Sequence, residues 1–264
     1  MFADDIRARI AEHAGTYFSP ALVELFLDAS RAEAFWLMLE PRAIQARLSD
    51  LLAQGGAPAD PTELKQLAAL FARIVDAKSP FTAEHSLGVS RLARLLAERL
   101  DVPPASHDAL EIAGLLHDLG KLRVPDEILD KPGRLDTRER KIINTHSYET
   151  FQILRNIRGF EAIARWAAYH HEEPDGSGYP FHLTADEMPF EAHILRVADI
   201  FQAMVQQRPY RQGLGDHEVG RFMRDLVAAG RIDATVATAL LDDVPGARVA
   251  ACPTLAPLSE LAQA

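Results

Sequence analysis

Five histidines and two aspartates fall where a helix, or its exit, would carry them inward: His85, His117, His146, His170, His171, Asp118 and Asp199. His85 shares a stripe with Val89, Leu92 and Leu96, at i, i+4, i+7 and i+11. His117 closes the stripe of Leu110, Ala113 and Gly114, with Asp118 beside it. His146 follows Ile142 and Ile143, and His170 and His171 follow Ile163 and Ala167. Asp199 lies inside the apolar run ILRVADIFQAMV, where a solvated acid is out of place. Any one of these reads as a hydrogen-bonded core residue or half of a buried ion pair. Together they are a costly set of buried polar groups unless they share a partner. A metal centre is that partner, because imidazole suits Fe, Mn, Co, Ni or Zn and a carboxylate can bridge two cations. Asp118, directly after a candidate ligand, is the natural bridge. Two cations about 3.5–4 Å apart can cut a phosphodiester by making water reactive and neutralising phosphoryl oxygens. Lys121, one turn on, could bind a non-bridging oxygen or protonate the leaving group.

These residues need helices to position them. Period-2 alternation is nearly absent and the 3.6-residue period recurs, so the class is all-α. The pattern predicts helices over 62–77, 82–101, 106–118, 137–156, 160–171, 190–206, 216–229 and 232–242. Asp136 with Glu139 is a capping box, Ser19-Pro20 a helix start, and Gly120 suits a helix C-cap. The stretch AQGGAPADP, residues 53–61, reads as a linker. The organisation expected is an N-terminal helical region (1–60), a catalytic domain (61–245) and a weakly periodic tail (246–264). The first region carries no catalytic signal and suits regulation, dimerisation or a signalling contact, with FWLML (35–39) as its most apolar run.

The chain has 264 residues, 48% hydrophobic and 25% charged, with a formal net charge of −10. That balance argues against a nucleic-acid polymer or an anionic membrane as partner. One cysteine, Cys252, excludes an intrachain disulfide and a Cys-based zinc site. Apolar runs fall short of the roughly 20 residues that span a bilayer. The expectation is a cytoplasmic protein.

HDLGK (117–121), followed by VPDEILDKPGRL, resembles the signature of HD phosphohydrolases. HHEEPDGSGYP (170–180) resembles the second hallmark of their HD-GYP branch, ADIFQAMVQQRPYR the helix after it, and SPFTAEHS the opening motif. The likeness covers roughly residues 64–243. It implies an HD-domain helical bundle that hydrolyses cyclic di-GMP, a bacterial second messenger, to pGpG or GMP through a metal-activated hydroxide. The resemblance makes His85, His117, Asp118, His146, His170, His171 and Asp199 metal ligands and puts Lys121 on the scissile phosphate. By the same likeness Arg208 and Arg211 hold the nucleotide's other phosphate or a guanine. Asp175, Gly176, Gly178, Tyr179 and Pro180 then form the substrate loop. The metals implied are iron or manganese, with zinc, nickel and cobalt as alternatives. GTYFSPALVELFL (15–27) resembles how such domains end, which would make the N-terminal region a remnant of a second copy.

The sequence also departs from the family pattern. Phe81 stands where some members have a third-metal glutamate, which favours two divalent ions. Ser79, Glu173-Pro174, His193, Gln202 and Gln207 replace other common residues, changing the surroundings more than the ligands. A non-hydrolytic cyclic-dinucleotide sensor or interaction module, and an HD hydrolase for another nucleotide, are the alternatives.

Overall fold

The computed structural model describes residues 2–41, 44, 45, 48, 60–78, 85–131, 133–207 and 212–252. The chain divides into two compact units, Met1–Ala59 and Asp60–Ala264. The first carries α1 (Phe2–Glu12), α2 (Pro20–Ala29) and the short α3 (Glu33–Leu37). Arg7 ties α1 to the end of α2, donating to the Leu27 carbonyl at 2.9 Å and to Ser30 Oγ at 2.8 Å. Phe35 and Trp36 of the FWLML run meet Phe26 edge-on, while Leu37, Met38 and Leu39 stay exposed. Ser19 does precede α2, but its side chain makes no capping bond, so Pro20 carries that start.

The second unit runs α4 (Pro61–Lys78), α5 (His85–Arg99), α6 (Pro104–Leu116), a 3₁₀ turn (Leu119–Arg123), α7 (Asp126–Leu129), α8 (Thr137–Leu154) and α9 (Glu161–Ala168). A second 3₁₀ turn (Ala185–Glu187) leads to α10 (Phe190–Val205), α11 (Asp216–Ala228), α12 (Ala234–Leu241) and α13 (Val244–Ala251). Among the described residues there is no strand beyond two isolated bridges, so the fold is all-α as expected. Val89, Leu92 and Leu96 of α5, Leu110 of α6 and Leu195 and Phe201 of α10 are completely buried and form the middle of the core. The capping box of α8 is present, with Glu139 N donating to Asp136 and Asp136 N to Glu139, both at 2.8 Å.

Two glycines set how closely these helices approach. A Cβ on Gly114 would lie 2.7 Å from Ser90 Cα, so α6 packs backbone-to-backbone on α5 there and brings the end of α6 beside His85. A Cβ on Gly120 would lie 1.9 Å from the His146 carbonyl oxygen and 2.7 Å from Thr150 N. Gly120 is therefore a close-approach residue inside the 3₁₀ turn, not the C-cap that the sequence suggested; His117 is the C-cap of α6. Gly120→Ala should cost about 1–3 kcal/mol, the usual range for an overpacked core. It should also move Asp118 away from α8. Thermal unfolding together with metal content checks this; an unchanged melting temperature would contradict the packing described.

Two further elements correct the sequence reading. The helix expected over 160–171 stops at Ala168, and His170 and His171 follow in a turn in which Glu172 N donates to the Tyr169 carbonyl at 2.8 Å. The tail expected from 246 begins instead with α13, whose Ala247 and Ala251 are fully buried. Its run of small residues carries little hydrophobic periodicity, which hid it.

Candidate metal centre

Five helices, or the residues just past their ends, converge on a single cluster. His85 opens α5, His117 and Asp118 follow α6, His146 lies in the middle of α8, His170 and His171 follow α9, and Asp199 lies in α10. All but His171 are buried, and His171 is half-buried. The predicted seven thus come together, with Lys121 beside them.

Three rings are oriented by their own helices. Nδ1 of His117 meets the Gly114 carbonyl at 2.7 Å, that of His146 the Ile143 carbonyl at 2.7 Å, and that of His170 the Ala167 carbonyl at 2.6 Å. A carbonyl only accepts, so each Nδ1 carries the proton and each Nε2 lone pair is free to face inward. They face one another: His85 Nε2 is 3.2 Å from His117 Nε2, and His146 Nε2 is 3.3 Å from His170 Nε2. Two bare lone pairs at that distance repel unless a proton or a metal ion lies between them. Ligand atoms about 2.1 Å from one ion stand roughly 3.0–3.4 Å apart at right-angled to tetrahedral geometry. The spacings here match that chord.

The acids complete two groups. Asp199 Oδ1 lies 3.2 Å from His85 Nε2, forming a group of His85, His117 and Asp199. His146, His170 and His171 form the other. Asp118 faces both, with Oδ2 at 3.4 Å from His117 Nε2 and Oδ1 at 3.4 Å from His146 Nε2. This is the placement of a bridging carboxylate, and the donor set of imidazoles and carboxylates fits two divalent ions such as iron, manganese, cobalt or zinc. Each group could hold one.

Electrostatics sort the protons. Burial disfavours the charge on Asp118, but Lys121, His117 and His146 outweigh it and hold the carboxyl well below the usual range. Burial likewise opposes ionisation of Asp199, and its bond to His85 together with the His117 and His170 rings wins. Burial pushes His117 down, yet Asp118 and Asp199 raise it to about 9. Burial lowers His146 and His170, and takes His171 to about 3, so these three are neutral donors at pH 7. Lys121 Nζ sits 2.5 Å from Asp118 Oδ2.

The loop 172–183 sits against this cluster, and its construction depends on residues to which the sequence assigned no role. Glu172 is completely buried and accepts from Phe181 N at 2.7 Å and Leu183 N at 2.9 Å, closing the loop at its base. Glu173 accepts from Arg196 at 2.9 Å, from Arg231 at 2.5 and 2.7 Å and from Ser177 at 3.1 Å. Of the expected loop residues, Tyr179 stacks near His171 with ring centroids 4.8 Å apart, and burial pushes its phenol upward, keeping it neutral. Asp175 is exposed and spends its carboxylate on Ser177 N and Oγ at 2.8 and 2.7 Å, so it shapes the turn. Gly176 has φ of 80°, and a Cβ on Gly178 would strike Glu173 N at 2.2 Å. Pro180 follows in the same turn. Arg208 and Arg211, like Ser79 and Phe81, lie outside the described residues.

Residues 69–236 match the family described as HD domain. The chain belongs to the HD-domain family. Its HHEEPDGSGYP segment and its relatives put this HD domain in the HD-GYP branch. It is 37% identical over 235 residues to 3'3'-cGAMP-specific phosphodiesterase 1 of Vibrio cholerae, and 40% identical over 206 to phosphodiesterase 3 of the same name there. The alignments cover 86% and 78% of this chain but 53% and 45% of those proteins. The chain therefore spans about half the length of the curated relatives it matches. A cyclic di-GMP phosphodiesterase of Pseudomonas aeruginosa is 32% identical over 207 residues, 78% of this chain and 47% of that protein. In fold, the HD domain is similar to an HDG"Y"P protein from Bdellovibrio bacteriovorus, with a TM-score of 0.54 at 18% identity over 70% of this chain and 63% of that one. Among the described residues no helix is long and apolar enough to cross a membrane.

Proposed function

We propose that this chain is a metal-dependent phosphodiesterase that opens a cyclic dinucleotide. The observation that carries the reading is the pair of opposed Nε2 couples with Asp118 facing both. His85, His117 and Asp199 would hold one divalent ion, His146, His170 and His171 the other, and Asp118 would bridge them. Two such ions lower the pKa of water toward neutrality and neutralise phosphate oxygens.

The chain's own groups do the rest. The Lys121 ammonium, steadied on Asp118, meets a non-bridging oxygen of the scissile phosphate. The bond from water oxygen to phosphorus forms, the bond from phosphorus to the ribose 3' oxygen breaks, and a proton goes to that oxygen. Tyr179, held neutral, offers a donor beside His171, and the loop from Asp175 to Pro180 flanks the nucleotide. Arg208 and Arg211 supply cations for the second phosphate, which a chain of net charge −10 needs locally.

For the substrate, the 3'3'-cGAMP-specific relatives at 37% and 40% identity favour 3'3'-cGAMP over cyclic di-GMP, whose curated hydrolase in Pseudomonas aeruginosa is 32% identical. Purified protein loaded with Mn²⁺ or Fe²⁺ and given 3'3'-cGAMP, cyclic di-GMP and cyclic di-AMP tests both levels. The expected result is fastest opening of 3'3'-cGAMP, loss of activity with chelator and recovery on adding metal. No turnover of any of the three by metal-loaded protein would leave the sensor reading instead.

A further inference from the structure

His85 differs from the other oriented rings. His117, His146 and His170 each point Nδ1 at the carbonyl three residues back, so the helix or its end sets the ring. His85 is the first described residue of α5. Its Nδ1 meets Gln202 Oε1 instead, at 2.5 Å, from 117 residues away on α10. Gln202 is 1% exposed.

The surroundings fix that glutamine. A Cβ on Gly88 would lie 3.0 Å from Gln202 Cγ and 2.1 Å from the Ala251 carbonyl oxygen. Thus α5, α10 and the last turn of α13 close around its stem. Its position is also ordered along α10: Arg196, Asp199 and Gln202 recur every three residues on one face. Arg196 serves Glu173, Asp199 faces His85 and His117, and Gln202 serves His85.

We propose that Gln202 is the positioning residue of the His85–His117–Asp199 group. Its carboxamide oxygen holds the Nδ1–H form of His85, aiming Nε2 at the place where a cation would sit. Being neutral, it does so without adding negative charge beside a site meant for an anionic substrate. An outer partner that sets ring orientation is worth about 10–100-fold in metal affinity. The inference rests on the metal reading of the cluster proposed above, and its test needs no substrate.

Mn²⁺ affinity and stoichiometry, measured by competition against a chelator on the whole chain, compare wild type with Gln202→Leu, Gln202→Asn and Gln202→Glu. Q202L should lose about 10–100-fold in affinity for one of two ions and leave the other unchanged. Q202N, one methylene short, should fail to reach Nδ1 and behave like Q202L, whereas Q202E should hold both ions at least as tightly as wild type. With substrate, Q202E should raise KM more than it lowers kcat, because the added charge opposes an anion. Circular dichroism shows whether each variant folds; if Q202L does not, the comparison of Q202N with Q202E carries the test. Equal Mn²⁺ affinity in folded Q202N, Q202E and wild type would overturn the positioning role. In that case turnover by wild type would still stand, and absence of turnover alone would leave the affinity pattern intact.

Discussion

Asp118→Asn should lower kcat at least about 10³-fold, equivalent to roughly 4 kcal/mol of barrier. It should also cut the metal content of the isolated protein. The carboxylate faces both halves of the cluster, with one oxygen 3.4 Å from His117 Nε2 and the other 3.4 Å from His146 Nε2. An amide of the same shape fills the space, so the fold should survive. It removes the charge, however, and turns an N–H donor toward one half. Lys121 then loses the anion that steadies it at 2.5 Å. Alanine at 118 would add a cavity to these effects, which makes asparagine the cleaner test. Elemental analysis and initial rates read the two consequences separately. D118N with two ions and wild-type turnover would contradict the bridging role.

The second large effect concerns stability. Glu173→Ala should destabilise the second unit by about 3–5 kcal/mol, because it leaves the buried Arg196 guanidinium without its counter-ion. For a unit of this size that corresponds to a fall of roughly 6–20 °C in Tm. The same Arg196 reaches the His170 carbonyl at 3.4 Å, so loss of Glu173 should loosen the paired histidines as well. Bonds from Arg231, followed by the Arg196 charge, hold the Glu173 carboxyl at about 2 against an ordinary 4.5. A depressed folded-state pKa stabilises above the unfolded value and is lost as pH falls through the folded one. Wild type should therefore lose this contribution between about pH 4.5 and 2, and E173A should show a flatter decline across that window. Denaturant melts at pH 7 and pH 3 check it. Parallel curves for the two proteins would show that the ion pair contributes nothing net.

Much of the ligand set was legible because metal binding breaks a sequence rule locally. A histidine or aspartate on an apolar stripe is conspicuous, as Asp199 is inside ILRVADIFQAMV. The supporting residues were less visible because they obey ordinary rules or answer to distant partners. Glu172 and Glu173 look like solvated acids in a turn, and only the returning chain at Phe181 and Leu183 and the arginines at 196 and 231 explain them. Gln202 stands out in the sequence as a departure, but its role depends on a ring 117 residues away. A usable signal did exist: His193, Arg196, Asp199 and Gln202 form a polar row at three-residue spacing on a helix that is apolar elsewhere after Glu191, and all four are buried. Gly120 looks like a helix terminator in the sequence, although the need for glycine comes from the backbone of α8 lying against it.

Diffraction from crystals grown with Mn²⁺ and without chelator, collected at a wavelength where manganese scatters anomalously, is the most direct measurement. Two peaks should appear, one among His85, His117 and Asp199 and the other among His146, His170 and His171, with an Asp118 oxygen reaching each. A single peak, or none among ordered side chains, would mean that these imidazoles and acids gather for some purpose other than holding a pair of ions.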